Sequence, residues 1–553
     1  SRGGITALTA LPDIHQCFAL GTSVRKADHW GVLFGTVRHL DVLLNALVFP
    51  PQTNIPNWEE AVYVVERDLS LFRQLLRSTD LVPFFREERI AWFVGEDADA
   101  DLGAFADANP ECVLWDTLAG IDLRLMKAHK EIVVKRQTSY ARAINHLESS
   151  FARANGYDVQ VRDHFARRST RPLHVAFFSS FFTRVVRYCI ADLRRAAESL
   201  GMETMELIER RGTERLSPAT WGDKLVAFQP DMFVIVDRLR PHIGNLPPTL
   251  PTVSWIQDEL PWLDDPAFIS QLGPWDLAYS IATPLMEGYR KKGYPRVELL
   301  HMGANPTLYA PTDGLPPPTD EVALITNLAT PGESRAYPGL FAWILARMEE
   351  RGLGRTDRAY AEQLLGDAAR ALGYTIADEE FGRLLYVVRM DLEIYFDRTQ
   401  TASALIRAGV PIVLYGHGWG DVAEFRPYAR GTVAQGHDLC RVYQRHKVVL
   451  HVNALLNMHQ RVLECLASGG FVLARSSPTD HLSGELASCL EIGAEVVTYS
   501  TAEELIETVR RAFADEPWRQ GIIRAGRRRV LAEHTYKNRM QRMVDDLAGM
   551  VLA

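Results

Sequence analysis

A single stretch of the chain, Asn457 to Ala474, combines the residue types that a phosphate-binding helix needs. It reads NMHQRVLECLASGGFVLA, a helical pattern that stops at a glycine pair and is followed at once by an apolar strand. The free N–H groups and partial positive charge of a helix N-terminus can hold a phosphate. Arg461, in the first turn, could clamp a diphosphate through two parallel hydrogen bonds. The stretch therefore predicts a site for a diphosphate.

Further polar residues of the same stretch extend this site. Glu464 lies one turn along the face of Arg461, because helical residues three positions apart are neighbours. A carboxylate there could accept hydrogen bonds from the two hydroxyls of a ribose. His459, just inside the helix start, could donate to a phosphate or cap the chain, and the sequence leaves both roles open. Together these residues indicate a site for a diphosphate and a ribose.

The bulk composition excludes several classes of protein. With 553 residues, the chain is long enough for two to four domains. Its net charge of −8 gives no reason to expect a nucleic-acid partner. Its six cysteines are scattered without a Cys-x-x-Cys pair, so neither a zinc knuckle nor a disulfide framework is indicated. The sequence contains no apolar run of about twenty residues, so we expect no membrane span and a cytoplasmic location.

The first of three α/β regions is expected to form an N-terminal Rossmann-like accessory domain over residues 1–125. A helix is predicted over 37–47, and strands are predicted at Gly31–Gly35, Ala61–Val65, Ile90–Gly95 and Cys112–Trp115. Strand, turn, helix, strand and a terminal acid, Glu66, outline a dinucleotide or S-adenosylmethionine half-fold. No second glycine follows Gly35, however, which favours a degenerate scaffold used for packing or acceptor contacts.

Two further α/β regions follow a helical connector at residues 126–171. The first, residues 172–310, is predicted to contain strands at 174–179, 231–237, 252–256, 277–280 and 297–301. A proline-rich linker at 311–318 leads to the second, residues 320–553, with strands at 322–326, 411–415, 448–452 and 471–474 and a helical stretch over 337–409. The fold class is α/β, with ligands expected at the carboxyl ends of the strands.

An ordered set of motifs carries a family resemblance over residues 172–550. Its pieces are Leu414–Gly420, Val442-Tyr443 with Lys447, Leu450–Asn453, His459–Glu464 with Ala467–Gly470, His534–Tyr536, and Trp255–Asp258. The chain resembles GT-B glycosyltransferases of the spore-maturation-protein-like type, which are related to family-4 enzymes. This resemblance implies a GT-B architecture of two Rossmann-like domains, an acceptor domain at 172–310 and a nucleotide-sugar donor domain at 320–553. The site would lie in the cleft between them.

The resemblance implies a role for individual donor-domain residues. Arg461 would bind the donor diphosphate and Glu464 the donor ribose. Gly416 and Gly418 would let the backbone approach the nucleotide, and Trp419 would shape the base or sugar pocket. These residues therefore make up the main part of the expected donor site.

One departure from the family pattern concerns the sugar. Retaining family-4 enzymes carry two glutamates eight positions apart, and the position eight before Glu464 is Leu456. The sugar-binding role could pass to Asn457 or His459. Sugar identity and stereochemistry therefore stay open at the sequence level.

The acceptor side needs a general base if the reaction inverts configuration. Asp258, at the end of a predicted strand, could deprotonate an acceptor hydroxyl or cap the turn at Pro261. His242 and His301 are rival bases at similar loop positions. His534 and Tyr536 are expected to lock the closing helix onto the nucleotide domain.

No metal ion or separate cofactor is expected. Asp99-Ala-Asp101, in an acidic loop of the first domain, has an unsuitable context for a metal-binding Asp-x-Asp element. An arginine and a helix dipole would neutralise the leaving diphosphate instead. The expected partners are a nucleotide-sugar donor and a protein, glycan or small-molecule acceptor, and homo-oligomerisation is left open.

Three alternatives remain open from the sequence. One is a nucleotide-sugar epimerase of GT-B fold, which would need acid and base carboxylates beside the sugar. Another is an S-adenosylmethionine-dependent methyltransferase that uses Gly31–Gly35 and Glu66. The last is a non-catalytic adaptor that keeps the fold as an interaction platform, although the presence of both Arg461 and Glu464 speaks against it.

Overall fold

The computed structural model describes most of the chain after residue 60. The described residues are 32–35, 61–78, 85, 90–108, 123–152, 156–167, 170–179, 184–209, 216, 218–332, 334, 336–353, 358–453 and 456–553. Their strands form three sheets, and all strand pairs of defined register are parallel. Parallel strands need crossover connections and are covered on both faces, which explains their apolar sequences. The predicted α/β fold class is confirmed.

The first sheet has three strands in the order β1-β2-β3. The strands are β1 (Val32–Gly35), β2 (Ala61–Glu66) and β3 (Ile90–Val94), with helices α1 (Leu69–Ser78) and α2 (Ala98–Ala108). Three of the predicted strands are confirmed, whereas the strand at 112–115 and the helix at 37–47 lie outside the described residues. Glu66, the acid at the end of β2, is buried and accepts the backbone N–H of Asp68 at 2.8 Å.

The predicted connector is helical. It consists of α3 (Leu123–Ser150) and α4 (Tyr157–Phe165). Leu147 of α3 is buried, and its side chain lies beside Gly222 of a later helix, where a Cβ atom would meet Leu147 Cδ1 at 3.4 Å. The connector therefore packs closely onto the α/β region that follows it.

The second sheet has six strands in the order β5-β4-β6-β7-β8-β9. Its strands are β4 (His174–Ser179), β5 (Glu203–Ile208), β6 (Met232–Val236), β7 (Thr252–Ile256), β8 (Asp276–Ser280) and β9 (Val297–Leu299). Its helices are α5 (Arg184–Ser199), α6 (Pro218–Phe228), α7 (Arg240–Ile243), α8 (Pro266–Ile269) and α9 (Thr283–Lys291). The winding direction reverses between β4 and β6, so the carboxyl ends of these strands form a switch point where ligands bind in such sheets.

The third sheet has five strands in the order β11-β10-β12-β13-β14. Its strands are β10 (Thr319–Ile325), β11 (Ile412–Tyr415), β12 (His446–His451), β13 (Val472–Arg475) and β14 (Val497–Tyr499). In chain order this is the 2-1-3-4-5 arrangement, whose switch point lies between β10 and β12. Two Rossmann-like sheets preceded by a smaller parallel sheet agree with the predicted architecture.

Helices surround the third sheet and add a separate helical layer. They are α10 (Leu340–Arg351), α11 (Arg358–Leu372), α12 (Asp378–Val387), a π-helical turn (Val388–Leu392), α13 (Glu393–Arg407), α14 (His437–Arg445), α15 (Gln460–Ala467), α16 (Leu486–Cys489), α17 (Ala502–Ala514), α18 (Glu516–Glu533) and α19 (Tyr536–Leu552). Helices α10 to α13 share a core of their own, which includes Leu340, Leu365 and Leu392. The predicted helical stretch over 337–409 is divided at Gly352 and Gly373, which both adopt positive φ angles at helix ends.

The chain divides into two compact units. The first comprises residues up to Ala278 with 292–296 and 544–553, and the second comprises 279–291 with 297–543. Among the described residues, no helix is long and apolar enough to cross a membrane. The finer domain boundaries given above remain predictions.

Candidate functional site

The predicted phosphate-binding helix is α15, which begins after His459 and ends at Ala467. His459 is the N-cap residue, and its Nδ1 accepts the backbone N–H of Arg461 at 3.1 Å. Burial, together with the charge of Arg461, holds the pKa of His459 well below its ordinary value. His459 is therefore neutral near pH 7 and acts as a cap, one of the two roles left open by the sequence.

Arg461 has a second arginine, Arg398, as its neighbour. Arg398 lies on α13, and its Nη1 donates to the carbonyl oxygen of Asn327, just after β10, at 2.7 Å. Burial, and then the charge of Arg461, lowers the pKa of Arg398 to about 10. The Arg398 Nε is buried and donates no hydrogen bond within the described part of the chain. The two guanidinium groups are thus near enough to repel each other, and the carboxylate of Asp397 offsets part of this effect on the pKa of Arg398.

No carboxylate of the described residues forms an ion pair with either of these guanidinium groups. The nearest titratable side chains include two imidazoles, His451 at the carboxyl end of β12 and His459, whose ring centroids are 5.1 Å apart. Burial and the charge of Arg461 lower the pKa of His451 to about 3, so His451 is also neutral. The switch point of the third sheet therefore brings two positive charges together beside two neutral imidazoles, an environment that suits a diphosphate.

Glu464 is buried beside this arginine pair. Its side chain is 3% exposed. Its Oε1 accepts a hydrogen bond from Gln460 Nε2 at 2.7 Å, and its Oε2 accepts one from the Tyr443 hydroxyl at 3.4 Å. These contacts fix the orientation of the carboxylate, whose oxygens have about four lone-pair positions in all. The structure thus places a carboxylate of fixed orientation one helical turn from Arg461.

Asn457 makes hydrogen bonds that tie two chain segments together. Its Nδ2 donates to the carbonyl oxygen of Arg475 at 2.8 Å and to the Asp480 carboxylate at 2.9 and 3.0 Å. Both donor hydrogens are therefore used within the protein, and the side chain is 1% exposed. Asn457 holds the segment after β13 in place, which explains its position without a sugar.

Gly416 and Gly418 are required by the close approach of two backbone segments. Gly416 has a φ of 129°, and a Cβ atom there would lie 2.2 Å from the carbonyl oxygen of Thr326. Gly418 has a φ of 84°, and its Cβ atom would lie 1.8 Å from the carbonyl oxygen of Leu328. The loop after β11 is therefore pressed onto the loop after β10, a packing that only glycine allows.

Trp419 belongs to the hydrophobic core. Its side chain is 0% exposed, its Nε1 donates to the carbonyl oxygen of Thr326 at 2.6 Å, and its ring meets Phe425 edge-on at 5.3 Å. A ring that stacks on a base needs an exposed face, and Trp419 has none. The structure therefore gives Trp419 a packing role instead of the expected place in a base or sugar pocket.

Asp258 lies in the first unit, two residues after β7, and is exposed. Its backbone N–H and that of Gln257 donate to Oδ1 of Asp237 at 3.1 and 2.6 Å. Asp237 follows β6 at the switch point of the second sheet and has a φ of 56°. Burial, and then the charge of Asp258, raises the pKa of Asp237 to about 8.

This carboxylate pair has chemical consequences at neutral pH. Asp237 is buried, and its Oδ2 contacts no hydrogen-bond partner among the described residues. Burial raises the pKa of both carboxyls, with that of Asp237 at about 8, so the pair shares one proton and holds one negative charge near pH 7. Sequence reasoning overlooked Asp237, although its place at the end of a strand beside that of Asp258 was a usable signal.

The rival histidines are held in other contacts. His242 Nδ1 accepts the backbone N–H of Leu239 at 2.8 Å, and burial lowers the pKa of His242 to about 4. Both ring nitrogens of His301 contact backbone carbonyl oxygens, of Ile281 at 2.8 Å and of Gly484. Neither ring nitrogen of His301 is thus free to take a proton from a substrate.

The segment around His534 and Tyr536 is held by residues that precede the predicted nucleotide domain, whereas the sequence predicted attachment to that domain. The backbone of Ala304 donates to the His534 carbonyl oxygen at 2.9 Å and accepts the N–H of Tyr536 at 3.1 Å. Arg539 Nε donates to the carbonyl oxygen of His301 at 2.7 Å. These bonds attach the start of α19 to the segment that follows β9.

The described residues contain no group of three or more His, Cys, Asp or Glu side chains arranged to hold a metal ion. Asp99 forms a two-pronged ion pair with Arg67, with both contacts at 2.7 Å. Its carboxylate therefore stabilises the first sheet and its helices.

Comparisons with known proteins centre on the second unit. Residues 398–545 match the family model described as "Glycosyl transferase-like". A search of curated proteins found no significant match.

Several solved structures are similar to the chain. One is a glycosyltransferase from Rickettsia africae, with a TM-score of 0.40 and 9% identity, covering 68% of this chain and 98% of the other. Another is Alr3699/HepE from Anabaena in complex with UDP-glucose, with a TM-score of 0.39 and 11% identity, covering 68% and 100%. A third is the sucrose-phosphate synthase of Thermosynechococcus elongatus, with a TM-score of 0.37 and 12% identity, covering 67% and 97%. The match to the glycosyl transferase-like family model covers a shorter segment, which contains Arg398, Arg461 and Glu464.

Proposed function

We propose that this protein is a glycosyltransferase of GT-B architecture that moves a sugar from a nucleoside-diphosphate sugar to an acceptor hydroxyl. The observation that carries the proposal is the pair of neighbouring guanidinium groups, Arg398 and Arg461, at the switch point of the third sheet. Both residues lie in the segment that matches the glycosyl transferase-like family. A protein that holds two unpaired positive charges together gains most when a ligand with two negative groups binds there.

The proposed reaction breaks the bond between the anomeric carbon and the diphosphate oxygen. The acceptor oxygen forms the new bond to that carbon, and its proton passes to a base. Negative charge develops on the leaving diphosphate, where Arg398, Arg461 and the N-terminus of α15 would stabilise it. Because fixed cations supply this stabilisation, the proposed mechanism does not require a metal ion.

Glu464 is proposed to bind the donor ribose. Its carboxylate is held by Gln460 and Tyr443 and is one helical turn from Arg461. A preorganised acceptor can discriminate a ribose from a sugar that lacks a hydroxyl, because an unmatched buried carboxylate is costly.

Asp258 is proposed as the general base that accepts the proton of the acceptor hydroxyl. It is exposed and shares with Asp237 the one negative charge of the pair. A base of this kind belongs to an inverting transfer, in line with Leu456 at the position where retaining relatives carry a glutamate. Asp258→Asn should abolish transfer and leave nucleotide affinity unchanged, whereas loss of both would point to misfolding.

The acceptor is proposed to be a protein, a glycan or a natural product, with residues 1–125 as an accessory domain. The donor site can be tested without an acceptor, because nucleotide binding alone stabilises the folded protein.

The first experiment measures thermal stabilisation by UDP, GDP, CMP, dTDP and ADP and by their sugar conjugates. At about a hundred times its dissociation constant, a ligand should stabilise the protein by about 2.7 kcal/mol. We expect one base to stabilise the wild type and the shift to vanish in Arg461→Ala. Arg407→Ala is the matched control, because Arg407 is an exposed arginine at the end of α13. Stabilisation by no nucleotide, or an equal shift in Arg461→Ala, would contradict the assignment.

A further inference from the structure

A cavity of about 640 Å³ lies within the second unit, away from the arginine pair. Its lining includes His446, the first residue of β12, and Gly469 and Gly470, which precede β13. These residues mark the amino-terminal edge of the third sheet, whereas Arg398 and Arg461 lie at the carboxyl ends of its strands. The volume is within the range of about 300–1,000 Å³ that small-molecule pockets occupy. We call it the arginine cavity.

The arginine cavity is positively charged. Helix α18 contributes Arg519, Arg524, Arg527 and Arg528 to its lining, which also includes His446. None of the residues that line it is acidic. A lining of this composition favours an anion.

Two of these arginines are used by the protein itself. Arg519 donates to the carboxylate of Glu516 at 2.6 Å, and Arg527 Nε donates to the carbonyl oxygen of Ala467, at the end of α15, at 3.1 Å. Such contacts are the ordinary roles of arginines on a helix surface. They do not explain the remaining two.

Arg524 and Arg528 form no hydrogen bond or ion pair with any described residue, and both are exposed. They are four positions apart on α18, where like charges destabilise a helix. Their neighbour Arg529, on another face, contacts the carboxylates of both Glu495 and Glu533. The carboxylates of Glu495 and Glu533 thus pair with Arg529, which does not line the cavity, and neither contacts Arg524 or Arg528.

The opposite wall is the proline-rich segment Pro311–Pro318. Proline has a fixed φ angle, and three consecutive prolines, Pro316 to Pro318, make an extended and stiff segment. This wall approaches Gly469 closely, since a Cβ atom there would lie 3.5 Å from Pro311 Cγ. The cavity is therefore preformed, which lowers the entropic cost of binding.

We propose that the arginine cavity binds a ligand with at least two phosphate groups, and that Arg524 and Arg528 are its main contacts. Planar guanidinium groups bind phosphate oxygens through two parallel hydrogen bonds, and their spacing along one helix face suits linked phosphates. The cavity shares Tyr443 with the surroundings of Glu464, whereas its arginines lie at the edge of the third sheet opposite to Arg398 and Arg461. The phosphates could belong to a free compound or to a lipid headgroup.

The test uses Arg461→Ala as background, so that a diphosphate does not report on the donor site. Inorganic pyrophosphate and tripolyphosphate are titrated calorimetrically into this variant, with and without Arg524→Gln and Arg528→Gln. Loss of two charge-assisted contacts should weaken binding by about tenfold to a hundredfold. Arg407→Gln with Arg510→Gln removes the same charge from exposed positions outside the cavity and should leave the affinity unchanged.

Equal affinity with and without the cavity arginines would overturn the proposal, as would the absence of binding in the Arg461→Ala background. Cosedimentation with phosphatidylcholine vesicles, with or without a bis-phosphorylated inositol lipid, then distinguishes the source of the phosphates. Sedimentation that depends on Arg524 and Arg528 supports a lipid headgroup, and soluble binding alone supports a free compound. Nucleotide stabilisation of Arg524→Gln/Arg528→Gln in the wild-type background checks that this variant folds.

Discussion

Replacement of Arg398 by methionine should stabilise the nucleotide-free protein while weakening nucleotide binding. The arginine is half-buried near Arg461, and its buried Nε donates no hydrogen bond among the described residues. Methionine keeps much of the apolar stem and removes the charge. The two effects have opposite signs because the charge of Arg398 is expected to stabilise the bound ligand and to destabilise the nucleotide-free fold.

The magnitude follows from the pKa of Arg398. Burial and the charge of Arg461 lower it to about 10, and a fall of this size corresponds to on the order of 3 kcal/mol. Since the guanidinium is charged in both the folded and the unfolded state below that pKa, the cost applies throughout the neutral range and disappears as the pH rises past it. Loss of the bond to Asn327 offsets about 1 kcal/mol, which leaves a net gain of about 1–2 kcal/mol.

Thermal unfolding without nucleotide should therefore show a Tm about 2–8 °C higher for Arg398→Met than for the wild type. At a nucleotide concentration that saturates the wild type, the difference in Tm between the two proteins should become smaller or change sign. The reason is that the affinity of the variant for the nucleotide falls about tenfold or more. Arg407→Met, on the same helix, controls for general effects of the substitution. A Tm of nucleotide-free Arg398→Met below that of the wild type would refute the repulsion between Arg398 and Arg461, on which the proposed donor site is based.

Further predictions concern Asp237, Gly418 and Trp419. Because the folded-state pKa of Asp237 is raised to about 8, the folded protein binds more protons than the unfolded chain between about pH 4 and 8, and its stability falls with rising pH. Asp237→Asn should flatten this dependence by up to about 1.4 kcal/mol per pH unit, and parallel Tm-versus-pH curves would show that Asp237 is ionised. Gly418→Ala should cost on the order of 3 kcal/mol or more by Tm, whereas Gly420→Ala, where a Cβ atom has open space, should cost about 1 kcal/mol or less. Equal costs would remove the argument for a strained loop. Trp419→Phe should lower the unfolding free energy by about 1–3 kcal/mol with unchanged nucleotide affinity, and a loss of affinity at unchanged stability would instead place Trp419 at the ligand.

Much of the fold was predictable because buried parallel strands have continuous apolar sequences. His174–Ser179 and Thr252–Ile256 were predicted with the observed bounds. The edge strand Glu203–Ile208 was not predicted, because its sequence ETMELI mixes charged and apolar residues and most of its side chains are only partly buried. Edge strands carry a weaker hydrophobic signal than central ones.

The site was predictable only where its residues are close in sequence. Arg461 and Glu464 share one helix, so helical spacing was sufficient to connect them. Arg398 precedes Arg461 by about sixty residues, and Asp237 reaches Asp258 across two strands. No local pattern connects such residues, and only the sheet order brings them together. A sequence motif also does not show whether a side chain is buried. For this reason Trp419 was expected in a pocket, although it lies in the core.

The most direct test of the proposed donor site compares the nucleoside diphosphate and the nucleoside monophosphate of the preferred base in equilibrium titrations. Arg398 and Arg461 should make the wild type bind the diphosphate at least about tenfold more tightly. Arg461→Ala should abolish that preference while keeping affinity for the monophosphate, and Arg407→Ala should retain it. An equal preference in Arg461→Ala, or no binding of either nucleotide to the wild type, would contradict the account.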